Sequence, residues 1–139
     1  MMRALIDTNI LLDLVLDRAP FVEEAASIWE ACRAERFIGY VSAISPLNVF
    51  YVVRRARDGA IARQVVEDIL AVFDICGVDG DALTTALTLP LKDFEDAVQL
   101  AGALTYQLDA IVTRDSDDFA EASLPVYSPA DFLKELSRQ

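Results

Sequence analysis

Short apolar runs alternate along the chain with longer stretches of helical periodicity. The runs at residues 3–6, 37–41 and 109–113 are typical of buried strands, and weaker runs at 74–78 and 123–127 predict two more. Between them, apolar residues recur every three or four positions, which predicts amphipathic helices. The predicted helices cover residues 10–15, 20–36, 42 or 45 to 56, 60–73, 80–87, 93–107 and 129–137.

This order of elements predicts the fold class. Strands that alternate with helices favour a mainly parallel sheet covered on both faces, so we expect an α/β protein with a three-layer α/β/α sandwich. The length of 139 residues falls in the range of a single domain, which we expect to span residues 1–139.

Capping and helix-breaking residues mark the predicted helix ends. Ser42 or Ser45 is the expected N-cap of the third helix, with Pro46 in its first turn and Asp58-Gly59 as its stop. Ser128, followed by Pro129, is the expected cap of the last helix.

Composition limits the cellular setting. No apolar stretch reaches the roughly 20 residues that cross a bilayer, and no apolar signal region follows the N-terminus, so we expect a cytoplasmic protein without a membrane span. Cys32 and Cys76 stand alone in the sequence, and we expect both to be buried, reduced thiols.

The chain contains no histidine. This excludes Ser-His-Asp and Cys-His catalysis, as well as zinc sites that need imidazole. Catalysis would therefore depend on carboxylates. The net charge of −11 is unfavourable for simple neutralisation of a nucleic-acid backbone, although a divalent cation bound by the acids would offset it.

Four aspartates are candidates for a common site: Asp7 after the first strand, Asp96, and Asp115 with Asp118 after the strand at 109–113. The ends of parallel strands meet at one edge of a sheet, where ligands usually bind. Each acid also has a simpler interpretation. Asp7 could cap the next helix, and Asp115 and Asp118 could belong to a solvated turn. Of the two acids that begin the helix at 93–107, Asp93 could be its N-cap, so Asp96 is the better ligand.

Such oxygen ligands select Mg²⁺ or Mn²⁺. A bound ion of this kind can polarise a phosphoryl oxygen and lower the pKa of a water for in-line attack. Thr8, Asn9, Ser45 and Thr113 are short polar residues suited to hydrogen bonds with these carboxylates or with a substrate.

Three segments of the chain, Asp7–Asp13, Asp93–Ala97 and Thr113–Phe119, resemble the three main motifs of PIN domains. The resemblance covers essentially the whole chain. It implies a PIN-like α/β/α fold and a Mg²⁺- or Mn²⁺-dependent endoribonuclease, commonly the toxin of a toxin/antitoxin pair. By motif, the metal-site acids would be Asp7, Asp96 and Asp115, with Asp118 as a fourth. The resemblance also implies an RNA substrate, an antitoxin protein as partner and a homodimer.

The sequence departs from this family at one position. Where PIN domains usually carry a glutamate early in the third helix, this chain has Asn48. Its amide can orient a water or approach a metal but carries no charge. The surrounding Ser-x-x-Ser-x-x-Asn-x-x-Tyr pattern resembles a subgroup with Asn there, so we include Asn48 among the catalytic candidates.

Farther along the same helix, Tyr51, Arg54 and Arg55 form a candidate RNA-binding surface, although an ordinary solvated helix end is the slightly better explanation of these residues. Trp29 and Phe50 are expected to pack in the core or at an interface.

Two other functions compete with the nuclease. One is a PIN-like module, catalytically weak or inactive, that binds protein or RNA. The other is a phosphatase of the haloacid-dehalogenase type with Asp7 as nucleophile. That chemistry favours a second aspartate at position 9, where this chain has Asn9.

Overall fold

Five parallel strands form one sheet at the centre of the molecule. The computed structural model describes all residues from 1 to 139. The strands are β1 (Arg3–Ile6), β2 (Ile38–Ser42), β3 (Asp74–Cys76), β4 (Ala110–Val112) and β5 (Val126–Tyr127). They lie in the order β3-β2-β1-β4-β5, so that β1 is central and its C-terminal end adjoins those of β2 and β4.

Seven helices cover the sheet. They are α1 (Thr8–Val15), α2 (Val22–Arg33), α3 (Ile44–Ala56), α4 (Gly59–Val72), α5 (Gly80–Thr88), α6 (Phe94–Thr105) and α7 (Pro129–Ser137). A short 3-10 turn, Ser116–Phe119, follows β4.

The strand residues divide between two apolar clusters according to the side of the sheet they face. Ala4 and Ile6 of β1 pack with α1, α2, α3, α4 and α7, whereas Leu5 packs with Leu100 of α6. Helix α5 packs against α6 through Ala86 and its neighbours. Because successive strand side chains point to opposite faces, this division produces the predicted three layers. The expected α/β fold with a parallel sheet is confirmed.

The prediction for the start of α3 was wrong. Neither Ser42 nor Ser45 is the N-cap residue, which is Ala43, although the hydroxyl of Ser42 accepts a hydrogen bond from the N–H of Ile44 at 3.4 Å. Ser45 is fully buried and its hydroxyl lies 2.6 Å from that of Thr8 in α1, so it serves tertiary packing instead. Pro46 does occupy the first turn, where it needs no N–H partner.

Two other predicted caps have different outcomes. Asp58, expected to end α3, in fact caps α4, with its carboxylate accepting a hydrogen bond from the N–H of Ile61 at 2.8 Å. Ser128 caps α7 as predicted, accepting from the N–H of Asp131 at 3.1 Å.

The cysteine prediction is confirmed: Cys32 and Cys76 are buried and free. Strand β5 contains only two residues, fewer than the run at 123–127 predicted. No helix combines the length and the apolar character required to cross a membrane.

Candidate functional site

Asp7 lies directly after the central strand and is 3% exposed. Its Oδ2 accepts a hydrogen bond from the hydroxyl of Thr113 at 2.7 Å, and its Oδ1 accepts one from the side-chain amide of Gln99 at 3.1 Å. Although Asp7 occupies the N-cap position of α1, its side chain makes no capping hydrogen bond. The carboxylate is therefore held mainly by Gln99 of α6 and by Thr113, which follows β4, so capping of α1 alone does not account for its position.

Burial raises the pKa of Asp7, since it disfavours the charged form, while the hydrogen bonds from Thr113 and Gln99 act in the opposite direction. The nearby charge of Asp115 also raises it. A buried carboxylate with these donors and no cationic partner is suited to a bound cation.

Asp96 lies in the first turn of α6, and Asp93 is the N-cap of that helix. The carboxylate of Asp93 accepts a hydrogen bond from the N–H of Asp96 at 2.9 Å. The carboxylate of Asp96 takes part in no hydrogen bond or ion pair within the protein, and that of Asp118 takes part in none either. The two acids of this turn thus have different tasks, which leaves Asp96 available for a ligand.

The pKa of Asp96 is raised to about 7, first by burial and then by the negative charges of Asp7, Asp93 and Asp118. This repulsion means that Asp96 shares one region of negative potential with Asp93 of its own helix and with acids from two other segments. A divalent cation placed among them would relieve it.

The third segment follows β4. Asp115 accepts a hydrogen bond from the side-chain amide of Asn9 at 3.2 Å, and its N–H donates to the hydroxyl of Thr113 at 3.0 Å. Thr113 thus joins Asp7 to the loop that carries Asp115. Asp118 is exposed in the 3-10 turn.

A cavity of about 280 Å³ opens beside Asp96 and Asp118. Its lining also includes Asp93, Asp117 and Glu121, with Lys92 as the only cationic side chain. In this arrangement no three carboxylates are close enough to share one metal ion. The acids meet at one edge of the sheet without forming a finished coordination shell. The donor set suits Mg²⁺ or Mn²⁺, which bind few carboxylates and retain several waters.

Only some of the polar residues predicted to support the site contact its acids. Thr8 and Ser45 hydrogen-bond to each other and not to the acids, whereas Thr113 and Asn9 contact Asp7 and Asp115. Asn48 lies on α3 one turn beyond Ser45 and is half-buried.

The candidate RNA-binding residues lie farther along α3, exposed to solvent. The guanidinium carbon of Arg54 is 4.9 Å from the centroid of the Tyr51 ring, and Arg55 is exposed beside them. Trp29 and Phe50 are partly buried against the main core cluster, as predicted.

Sequence reasoning missed three residues beside the acids. Gln99 is completely buried in α6 and bonds to Asp7, yet a single glutamine in an apolar helix carries no distinctive signal. Asp13 and Arg114 form an ion pair across 101 residues, with Nε of Arg114 2.8 Å from Oδ2 of Asp13. A second arginine, Arg18, lies 3.7 Å from Asp13.

Arg114 precedes Asp115, so the ion pair anchors the loop that carries this acid. Because the side chain of Asp13 is 2% exposed, removing its main partner leaves a buried charge undercompensated. We expect Arg114→Met to lower the free energy of unfolding by about 3 kcal/mol, measured by urea denaturation. The double variant Asp13→Leu with Arg114→Met should recover most of this loss. A single variant as stable as the parent would show that the pair does not hold the loop.

Comparisons with known proteins give a consistent result. The family model described as the PIN domain matches residues 3–117. A toxin-antitoxin complex from Klebsiella pneumoniae contains a chain that is 28% identical, with a TM-score of 0.68 over 91% of this chain and 97% of that chain. No match is found among curated proteins.

Two further solved structures share the fold at lower identity. The sarcin-ricin loop cleaving toxin VapC20 from Mycobacterium tuberculosis is 15% identical, with a TM-score of 0.68 over 87% of this chain and 95% of that chain. The DNA-bound VapBC complex from Salmonella typhimurium contains a chain that is 15% identical, with a TM-score of 0.69 over 93% of this chain and 99% of that chain. The parallel five-stranded fold and the match over most of the sequence show that this chain belongs to the PIN domain family.

Proposed function

We propose that this protein is a Mg²⁺- or Mn²⁺-dependent endoribonuclease, the toxin component of a toxin/antitoxin pair. The observation that carries the proposal is the meeting of Asp7, Asp96, Asp115 and Asp118 at the carboxyl edge of the sheet, with Asp96 half-buried and without a cationic partner. Similarity to a chain of a toxin-antitoxin complex from Klebsiella pneumoniae supports the biological role.

Asp7, Asp96 and Asp115 would hold the ion, with Asp118 as a fourth ligand. Asp7 is fixed by two hydrogen bonds, whereas Asp96 and Asp118 accept none, so their side chains are free to rotate toward a shared ion. When bound, the ion supplies charge for the phosphoryl oxygens and a more acidic water. Thr113 and Asn9 maintain the orientation of the fixed acids, and Asn48 would orient the attacking water through its amide.

The simplest test combines RNA with and without metal. The purified protein is incubated with a pool of structured RNAs in Mn²⁺ or in EDTA, and cleavage is read by gel. Cuts that require Mn²⁺ support the nuclease. An absence of cuts under both conditions, from folded protein, contradicts it.

Asn48 offers a separate test of the metal site. If its side chain faces the acids, Asn48→Glu adds a carboxylate to the ligand set, and we expect Mn²⁺ to bind about tenfold more tightly. Calorimetric titration of Mn²⁺ measures this change. The Gln side chain in Asn48→Gln is as long as that of Glu but carries no charge, so this variant should bind Mn²⁺ as tightly as the parent does. Equal affinities for the Glu and Gln variants would place position 48 outside the site.

A path for RNA would run from the acids along α3. Asn48 and Arg55 lie two helical turns apart and therefore follow one side of the helix. Tyr51 is 46% exposed beside this line, next to Arg54. The aromatic ring suits stacking with a base, and the guanidinium groups suit phosphate contacts.

Removing the ring should weaken substrate binding without altering the chemical step. For Tyr51→Ala we expect KM to rise about tenfold and kcat to stay within twofold, since base stacking contributes about 1–3 kcal/mol. Steady-state cleavage of a short RNA measures both constants. Leu70→Ala removes a similarly exposed apolar side chain from α4 and serves as the control. Unchanged KM in Tyr51→Ala would favour the ordinary solvated helix end.

The partners follow from the same proposal. A small antitoxin protein would occupy the acidic edge by placing an Arg or Lys among the carboxylates. We also propose a homodimer, the most common symmetric assembly, and action on RNA in the cytoplasm. Size-exclusion chromatography with light scattering tests the dimer.

A second function has one observation in its favour. Because no three carboxylates are close enough to share an ion in this arrangement, a PIN-like module that binds protein or RNA without cutting it fits the same structure. Mn²⁺-dependent cleavage that requires the aspartates would exclude this alternative, and RNA binding without cleavage would favour it.

A further inference from the structure

Gln99 links the acidic site to the core from a position that faces no solvent. It is completely buried in α6, among residues that are otherwise apolar or small. Its amide makes two contacts with the end of β1 and the start of α1: Nε2 donates to Oδ1 of Asp7 at 3.1 Å, and Oε1 accepts from the N–H of Thr8 at 3.3 Å.

These two contacts fix the direction of the amide. The N–H of Thr8 can only donate, so it must face the oxygen of Gln99, which turns the amino group toward Asp7. A flipped amide would place its oxygen against a carboxylate and its amino group against an N–H. Neither contact would then be a hydrogen bond, so the observed orientation is the only favourable one.

The consequence for Asp7 is a defined carboxylate plane. Gln99 binds one oxygen and Thr113 binds the other, from α6 and from the end of β4 respectively. With an interior donor on each oxygen, and the backbone N–H of Asn9 also interacting with the carboxylate, the group cannot rotate without losing a bond. The remaining lone pairs are left for a ligand outside the core.

Gln99 also connects two of the acids. It follows Asp96 by three residues, so both side chains lie on the same side of α6. The amide that holds Asp7 thereby ties this acid directly to the helix that presents Asp96. We infer that Gln99 is a positioning residue, which fixes Asp7 and Asp96 relative to each other so that both can bind one divalent cation. This inference rests on the proposed metal-dependent function.

The test uses the full chain, with Mn²⁺ alone as the probe. Gln99→Met keeps the length and volume of the side chain but removes both hydrogen bonds. Leu100→Val is the matched control, because it changes the adjacent buried position of the same helix without contacting an acid. Mn²⁺ affinity is measured by calorimetry at a temperature where thermal melting shows every variant to be folded.

The expected result is a rise of at least tenfold in the Kd of Gln99→Met for Mn²⁺, with the control within twofold of the parent. In RNA cleavage at saturating Mn²⁺, kcat should fall while KM changes little. If Gln99→Met does not fold, Gln99→Asn takes its place. Its amide is one carbon shorter and cannot span both partners, so the same loss of affinity is expected.

Two results would overturn the inference, and they are distinguishable. If the parent binds Mn²⁺ through Asp7 and the Gln99 variant binds it equally well despite a lower melting temperature, Gln99 is only structural and the proposed function stands. If the parent does not bind Mn²⁺, or if Asp7→Asn binds it as tightly as the parent, the proposed function fails and the inference fails with it.

Discussion

Asp7→Asn should lower RNA cleavage by at least about a thousandfold, equivalent to ~4 kcal/mol of transition-state stabilisation. Asp7 is the central acid of the candidate site, buried after β1 and held by Thr113 and Gln99. Asn has nearly the same shape but removes the negative charge that a divalent ion requires. One amide oxygen can replace only one carboxylate oxygen, and an amide N–H facing the donors of the core would lose a hydrogen bond.

The measurement is the single-turnover rate of cleavage at saturating Mn²⁺. Asp68→Asn makes the same chemical change on the exposed side of α4 and should cleave at the parental rate. Circular dichroism confirms that both variants are folded. Cleavage by Asp7→Asn at a rate close to the parent would show that the carboxylate does not take part in the reaction.

Much of this arrangement could be predicted from sequence, because it depends on local pattern. The apolar run Arg3–Ile6 ends at Asp7, and the run at 109–113 ends just before Asp115, so parallel strand ends bring these acids to one edge. Asp96 is also predicted to be a site residue, although its position in the backbone differs from that of the other acids. It lies in the first turn of α6 and not at a strand end, and the N-cap role of Asp93 is what separates the two.

Contacts between distant residues could not be predicted in this way. Gln99 reads as an ordinary helix residue until the fold places it against Asp7, 92 residues earlier. The pairing of Asp13 with Arg114 likewise depends on the packing of α1 against the loop after β4. Ser45 is the opposite case. Its local sequence predicted an N-cap, whereas in the fold its hydroxyl forms a tertiary hydrogen bond with that of Thr8. Short-range patterns carry no information on which polar groups become buried together.

Asp96→Asn should make the metal-free protein more stable while it removes metal binding. Burial and the charges of Asp7, Asp93 and Asp118 raise the pKa of Asp96 to about 7, so ionising this group opposes folding at neutral pH. Allowing for partial exposure of Asp96 to solvent, the neutral side chain should raise the free energy of unfolding by about 2 kcal/mol. This corresponds to an increase of roughly 6 °C in Tm.

The pH dependence of this effect has a definite sign. The folded-state pKa of Asp96 lies above its unfolded value, so the folded state binds the proton more tightly. Stability contributed by that proton is present at low pH and is lost as pH rises from about 4 to about 7. The advantage of Asn over Asp should therefore be small at about pH 4.5 and largest above about pH 8. Thermal melting in EDTA at both pH values measures it.

A control separates the site from general surface charge. Asp68→Asn removes one negative charge from a protein with a net charge of −11, and should change Tm by less than about 1 °C. Two results would contradict the view that the charged Asp96 destabilises the metal-free protein: a lower Tm for Asp96→Asn than for the parent in EDTA, or an increase in Tm that does not depend on pH.

Calorimetric titration of Mn²⁺ into the parent and into Asp96→Asn tests the central claim most directly. Because Asp96 lies among the acids with no cationic partner in the protein, we predict saturable binding to the parent and none to the variant. The parent should then cleave RNA in the same buffer, and the variant should not. Equal Mn²⁺ binding by both proteins, or no binding by either, would contradict the assignment of these carboxylates as a metal centre.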